Sequence, residues 1–358
     1  MLTDSNMIAP AAPETSAQTW LQRALRLSLR DAFSRIFVLF RSIPRSVLAL
    51  RREGRLAANN GQALRALILT DRLGDIIAAE PVARHMRNPG ERLIWLVQPR
   101  YLDLLRFNPH LDSIITLSSY TETLLLRRIF RKICWNDLHF DGYRCDRFGI
   151  RSHNTVPSGI TSDNYYAEER SLADVFALIG LGRVLPERPR VYPDTNFNAL
   201  AYLTGIFPDP GRPLMIVHFT SDEQVRSWPV ALAEEAMAEV LANTNCNILE
   251  LGLQPYLAPG PRVHGVGTDL PIAAQLGLVG KAVIFCGVDS GFAHVANALG
   301  TPSVLLLAQY KNFVRRRPWM TGHEDCILYG ARMQDIDARR VSGALIERLK
   351  LAHSPTPA

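Results

Sequence analysis

Residues Val283–Leu307 read as strand, tight turn, short helix, stop and strand, and few folds accommodate that succession. Val283–Phe285 is an apolar run of β-favouring residues, and Ser303–Leu307 supplies the next buried strand. Between them, Asp289 or Ser290 is placed to cap a helix that Gly300 and Pro302 end. A turn of Asp289, Ser290 and Gly291 at the top of a parallel strand offers free backbone N–H groups at a helix N-terminus, which is an anion site. His294 follows about one helical turn later and can face the same cleft. The plainer reading is a cap followed by a buried polar histidine. These residues alone leave both open.

A second turn of the same kind lies early in the chain. Ala66–Leu69 reads as a strand, and a helix begins near Gly74 and runs to about Arg87. Arg92–Val97 is the next strand, Tyr101–Phe107 has helical spacing, and Ser113–Leu117 is a strand again. This β-α-β-α-β run is the signature of a doubly wound parallel sheet. Asp75 falls at the carboxyl end of the first strand, where open α/β sheets keep their ligand chemistry. No G-x-G-x-x-G follows that strand, so dinucleotide binding is not supported.

The same rhythm restarts after the prolines at 186, 189 and 193, which read as a linker. The second half holds strand Leu214–Val217, helix Val230–Ala242, strand Cys246–Leu251 and helix Pro271–Val279, then the strand from Val283. The expected organisation is a stretch of residues 1–60 with a disordered start and a basic amphipathic segment, a Rossmann-like domain over 61–190 and a second over 191–352. Phe148–Asn164 is polar and reads as a loop over the cleft, and the tail from His353 is rich in proline.

Residues 20–55 differ from the rest. Arg23, Arg26, Arg30, Arg35, Arg41, Arg45, Arg51, Arg52 and Arg55 alternate with Leu, Ile, Phe and Val. No stretch approaches the apolar length that spans a bilayer, and the Arg-flanked run Ile36–Phe40 is too short for a signal peptide. An Arg-rich amphipathic helix suits an anionic membrane interface. Packing on the protein's own surface or on a second subunit is the alternative. The net charge of +6 favours anionic partners. With the basic charge concentrated here and no recognition module in sight, nucleic acid is not an expected partner. Five cysteines, at 134, 145, 246, 286 and 326, form no C-x-x-C. That points to a reducing compartment and away from a zinc site.

Four segments, in order, are similar to the motifs of glycosyltransferase family 9, the heptosyltransferases of lipopolysaccharide synthesis. The first is Leu73–Ile77 with Pro81, resembling the family's first motif. The second is Glu168–Leu172 through Leu181, similar to its Glu-Arg helix. The third is Ile216–Ser221 followed by Arg226–Pro229, similar to a strand and turn ending in Lys-x-Trp-Pro. The last is Val288–His294 followed by Ala298–Pro302. The resemblance covers roughly residues 64 to 345. It implies an α/β GT-B architecture of two Rossmann-like domains facing a cleft. It also implies an inverting, metal-independent transfer of a sugar from a nucleotide diphosphate. Heptose from ADP-heptose is favoured, with a lipopolysaccharide core or related anionic glycolipid as acceptor. The nucleotide sugar is a co-substrate, and no cofactor is expected. The implied location is the bacterial cytoplasm, peripheral on the inner face of the inner membrane.

The resemblance also assigns roles. Asp75 is the base that takes the acceptor's proton, and the positive end of a helix favours its ionised form. Thr220, Ser221, Ser290 and Gly291 are donors to the leaving diphosphate. Arg226 stands where the family usually carries Lys, keeping the charge but offering a planar fork, with Asp222 and Glu223 close enough in sequence to pair with it. Asp289 binds sugar hydroxyls or caps the helix. His294 donates to phosphate or satisfies a buried carbonyl. Lys311, Arg315 and Arg316, with Arg317 beside them, are candidates for phosphates on the acceptor. The family often has an acid near Gln254 to hold the ribose, and none stands at that point. Trp228 and Pro229 read as domain packing. Alternatives remain: another nucleotide sugar or a protein acceptor, or a homologue that binds nucleotide sugar or membrane without catalysis.

Overall fold

The computed structural model describes residues 29–144, 151–152, 159–161, 170–252, 254–267, 270–308 and 326–353. Two parallel sheets organise them. The first runs β3-β2-β1-β4, with β1 Ala63–Ile68, β2 Glu91–Val97, β3 Ser113–Thr116 and β4 Cys134–Asp137. Every pairing in it is parallel. The second runs β10-β9-β8-β5-β6-β7, again parallel throughout. Its strands are β5 Leu214–His218, β6 Asn247–Leu251, β7 Val263–Val266, β8 Ile284–Val288, β9 Ser303–Ala308 and β10 Cys326–Gly330. Strands buried on both faces read as mostly apolar runs, and β5, β6 and β8 are buried end to end, with His218, Asn247 and Glu250 as the buried polar exceptions.

Helix α1, Leu29–Asn59, supplies one layer of the first sheet. Leu50 and Ala57 pack with Leu64, Ala66, Ile94 and Leu96 of β1 and β2. Ser46 Oγ donates to Glu122 Oε2 at 3.0 Å, and Glu53 accepts from Arg92 Nε at 2.6 Å. Residues 46–57 of the basic segment therefore form a layer of the domain. The single helix expected from near Gly74 to about Arg87 is instead two: α2 Leu73–Ala78 and α3 Glu80–Met86. Pro81 has no N–H for an i−4 bond, so the chain restarts at Glu80 with Pro81 in the first turn. Helix α4 is Leu102–Leu105, α5 is Tyr120–Ile129, and α6 is Leu172–Leu181, capped by Ser171 and ended by Gly182 at φ 70°.

The segment from 186 to 193 is clasped to α3. Glu80, buried, accepts from Arg190 N at 2.9 Å and Tyr192 Oη at 2.8 Å, and Arg84 donates to Arg188 O at 2.7 Å. The second sheet carries α7 Ala199–Ile206, α8 Val230–Asn243, α9 Ile272–Val279, α10 Gly291–Leu299 and α11 Ala338–His353. One apolar cluster runs through both units, joining Ile76, Ile77 and Trp95 to Phe285, Phe292 and Val295.

Candidate functional site

The site lies where α2 meets α10. Each helix begins just past the carboxyl end of a central strand, β1 and β8 respectively, where main-chain direction leaves N–H groups pointing outward. A Cβ on Gly74 would lie 2.8 Å from His294 Cδ2, and one on Gly291 would lie 2.5 Å from Leu73 Cδ2. Only glycine at both positions lets the two turns approach this closely. Asp75 occupies the first turn of α2, half-buried, next to that contact.

The turn leading to Asp75 is held on several sides. Arg72 has φ 66° and ψ 108°, the one non-glycine residue with positive φ among the described residues. Such a conformation costs roughly 1–3 kcal/mol and persists where surroundings impose it. The Tyr143 hydroxyl donates to Asp71 Oδ2 at 2.5 Å, and Tyr101, its phenol pushed up by burial, hydrogen-bonds the Arg72 backbone. Beneath lies a buried chain of polar groups. Thr70 N donates to His139 Nε2 at 3.2 Å, so the ring's proton sits on Nδ1, which donates to Asp137 Oδ1 at 2.8 Å. Asp137 Oδ2 accepts from Tyr120 Oη at 2.7 Å and Arg127 Nη2 at 2.8 Å. Burial works to raise the Asp137 carboxyl, but His139, Arg127 and Tyr120 outweigh it and hold it below the usual carboxylate range.

On the other side, Ser290 is the N-cap residue of α10 by its backbone, but its side chain makes no capping bond. The hydroxyl is shielded from solvent and meets no hydrogen-bond partner among the described residues. A buried hydroxyl with no protein partner at a helix N-terminus is a donor that an anion would satisfy. The plain capping reading of Ser290 does not hold. His294, in the same helix, is buried against Gly74 rather than turned to solvent.

The turn after β5 completes the wall. Ser221 N donates to Ser227 Oγ at 2.9 Å, which closes the loop that carries Arg226. Arg226 Nη1 stands 3.4 Å from both the carbonyl oxygen and Oδ2 of Asp289, while Glu223 is 3.9 Å from Nε. The guanidinium therefore bridges to the α10 turn and sits among acids. Thr220 faces Gly252, whose φ of 153° follows β6. Trp228 is fully buried, donating Nε1–H to Ile336 O at 3.1 Å, and belongs to the core.

Three features escaped the sequence reading. His218, at the end of β5, donates Nδ1–H to Leu251 O at 2.6 Å and meets Phe292 edge-on at 5.0 Å. Burial pushes its pKa below the ordinary value, so the ring is held neutral. It lies within Ile216–Ser221, where its apolar neighbours give no local sign of a role. Glu250 does stand near Gln254, but its carboxylate accepts from Tyr256 N and Leu257 N at 2.8 Å and so builds the loop. The polar chain from Arg127 to Thr70 joins residues far apart in sequence and carries no local signal. Lys311, Arg315 and Arg316, and Glu168 and Glu169, lie outside the described residues, as does most of the loop expected over 148–164. Among the described residues no group of three or more His, Cys, Asp or Glu could hold a metal ion. Among the same residues no helix is long and apolar enough to cross a membrane.

Residues 207–335 match the model of glycosyltransferase family 9 (heptosyltransferase). No curated protein matches. Among solved structures, a glycosyl transferase family 9 protein from Veillonella parvula superposes with a TM-score of 0.62 at 15% identity, over 81% of this chain and 97% of that one. The ADP-heptose lps heptosyltransferase II of E. coli gives 0.58 at 16%, over 82% and 100%. The E. coli heptosyltransferase WaaC with ADP gives 0.51 at 12%, over 80% and 99%. At such identities the likeness is one of fold, the GT-B arrangement of two Rossmann-like units.

Proposed function

We propose that this chain, which carries a glycosyltransferase family 9 domain over residues 207–335, moves heptose from ADP-heptose to an anionic glycolipid of the cell envelope. The observation that carries the reading is the orphan Ser290 hydroxyl at the start of α10, beside Arg226 and directly across from the turn that presents Asp75. Asp75 takes the proton of the acceptor hydroxyl as its oxygen attacks the anomeric carbon. The bond from that carbon to the diphosphate breaks on the opposite face, so configuration inverts. Negative charge then grows on the leaving diphosphate, where N–H groups of Ser290 and Gly291, the hydroxyls of Thr220 and Ser221, and Arg226 receive it. These cationic and dipolar groups replace a metal in the proposal. Lys311, Arg315 and Arg316 remain assigned by sequence alone to acceptor phosphates. The bacterial cytoplasm, where nucleotide sugars are supplied, is the proposed location.

A second reading is favoured by one observation. Arg226 is already engaged by Asp289, and a homologue that binds nucleotide without turnover would tolerate that pairing. The experiment that separates the readings is calorimetric titration with ADP, UDP and GDP, with and without Mg²⁺, on the wild type and Asp289→Ala. Metal-independent binding of ADP alone, weakened in the variant, supports the donor reading. Selective binding of UDP or GDP would replace the donor. No binding by folded protein would sink the site. Turnover that drops about 10²–10⁴-fold in Asp75→Asn, with nucleotide affinity kept, supports the base. Binding without any turnover in the wild type leaves the second reading.

A further inference from the structure

The outward face of α1 is unlike the rest of the surface. Its buried stripe, Ser46, Leu50, Glu53 and Ala57, repeats at three and four residues and faces the first sheet. The opposite face carries Phe40 at 74% exposure and Leu48 at 65%, among exposed Arg45, Arg51, Arg52 and Arg55. At about 100° per residue these side chains fall within an arc of roughly 140°. Between residues 38 and 59 the single acid is Glu53, which lies on the buried side and is taken by Arg92. The face is therefore purely basic with two large apolar side chains set into it.

The direction of the helix matters as much as its composition. Glu53 pairs with Arg92 at the start of β2, whereas Ser42 Oγ meets Ser118 Oγ at 3.0 Å just beyond the end of β3. So α1 runs against the strands, with its N-terminal end at their carboxyl ends, the side on which the Asp75 turn lies. From Leu29 to Arg41 the helix continues past the sheet, by about 20 Å at 1.5 Å per residue.

We propose that this face docks on an anionic lipid bilayer and so holds the cleft mouth beside the membrane. Charge complementarity selects the partner: arginines without acids match anionic headgroups, while Phe40 and Leu48 enter the acyl boundary. A second copy of the chain would set like charges against like across a two-fold axis. Nucleic acid would leave the apolar side chains without a partner. The purpose of docking rests on the glycolipid reading above, but the docking surface itself does not.

The test is flotation of the full chain with vesicles of phosphatidylcholine alone or with about a third phosphatidylglycerol. Wild type should float with the anionic vesicles only, and less at high salt, because each exposed arginine strengthens binding roughly fivefold. Arg45→Glu with Arg51→Glu and Arg55→Glu should abolish flotation. Phe40→Ser with Leu48→Ser should weaken it about tenfold or more. A Phe40→Trp protein should be quenched by brominated acyl chains. Circular dichroism and nucleotide titration should be unchanged in all of them, so loss of docking is distinguishable from failure of the donor site. Wild type that floats with neither vesicle overturns the proposal. So does the triple variant floating like wild type, or light scattering showing a dimer that the Phe40 and Leu48 changes dissociate.

Discussion

Gly74 and His294 meet across the two domains with no room for a methyl group. A Cβ on Gly74 would lie 2.8 Å from Cδ2 and 3.2 Å from Nε2 of the imidazole. One residue further lies Asp75, so the histidine of the second domain fixes how near the proposed base comes to the start of α10. Gly291 makes the reciprocal contact, but with Cβ, Cγ and Cδ2 of Leu73 at 2.7, 2.6 and 2.5 Å. A ring edge can swing aside, whereas a Cβ moves only with its backbone.

Gly291→Ala is therefore expected to be worse than Gly74→Ala. Overpacking of this sort costs about 1–3 kcal/mol, and a displacement near 1 Å at a reacting centre costs about 10²-fold in rate. Both variants should lose kcat, Gly291→Ala by more, with Gly74→Ala keeping ADP affinity. Equal turnover in Gly74→Ala and wild type would show that this contact does not set the catalytic distance.

Arg226 gives a sharper test of the proposed donor wall. Its Nη1 lies 3.4 Å from Asp289 Oδ2, longer than the usual charge-assisted hydrogen bond. A charge-assisted hydrogen bond contributes about 1.5–3 kcal/mol, so Arg226→Ala should weaken ADP roughly tenfold to a hundredfold while leaving AMP or adenosine nearly unchanged. Arg226→Lys should recover part of the loss. Calorimetry with ADP and adenosine decides it. Equal losses for both ligands would place Arg226 away from the second phosphate.

The strands and the helix starts were legible because buried parallel strands read as mostly apolar runs and turns demand Gly, Asp and Ser. That made β5, β8 and the turns at Asp75 and Ser290 readable from the chain. The break at Ala79 was a local signal passed over, since Pro81 stood in plain view. The roles of His218 and Glu250 were not legible, because each depends on one backbone group brought close by the sheet: Leu251 O, and the N–H groups of Tyr256 and Leu257. The pairing of Gly74 with His294 joins residues from two domains, and no periodicity reports a contact of that kind. The meaning of Arg226 was half legible: its acidic neighbours were visible, but the acid it meets at 3.4 Å, Asp289, is not one of them.

Trp228 should prove a matter of stability alone. It is fully buried, packs on Phe219 with ring centroids 5.3 Å apart, and its Nε1–H satisfies the carbonyl of buried Ile336. Trp228→Phe strands that carbonyl at about 1–3 kcal/mol, and Trp228→Ala adds a cavity, for about 3–5 kcal/mol in all. Urea unfolding should rank them in that order, with ADP affinity of the folded fraction preserved. A Trp228→Phe protein as stable as wild type but weak for ADP would move this residue into the site.

His218 should leave a mark on the pH dependence of stability. Burial lowers its folded pKa from the ordinary 6.5, while the Leu251 carbonyl and Asp222 pull it back only in part. The unfolded chain therefore binds more protons as pH falls through 6.5, and stability is lost from there down to the folded pKa. Glu250, raised by burial above its ordinary 4.5, acts oppositely, losing stability as pH rises through its own window. His110, also lowered by burial, acts in the same direction as His218. Comparing wild type with His218→Asn cancels both, since the Asn amide can still donate to Leu251 O and does not titrate. Urea unfolding from pH 8 to pH 5 should show the variant gaining on wild type below about pH 6.5, by at most about 1.4 kcal/mol per pH unit. Parallel curves over that range would mean that His218 accepts its proton in the folded protein as readily as in the unfolded chain, and that burial does not hold the ring neutral.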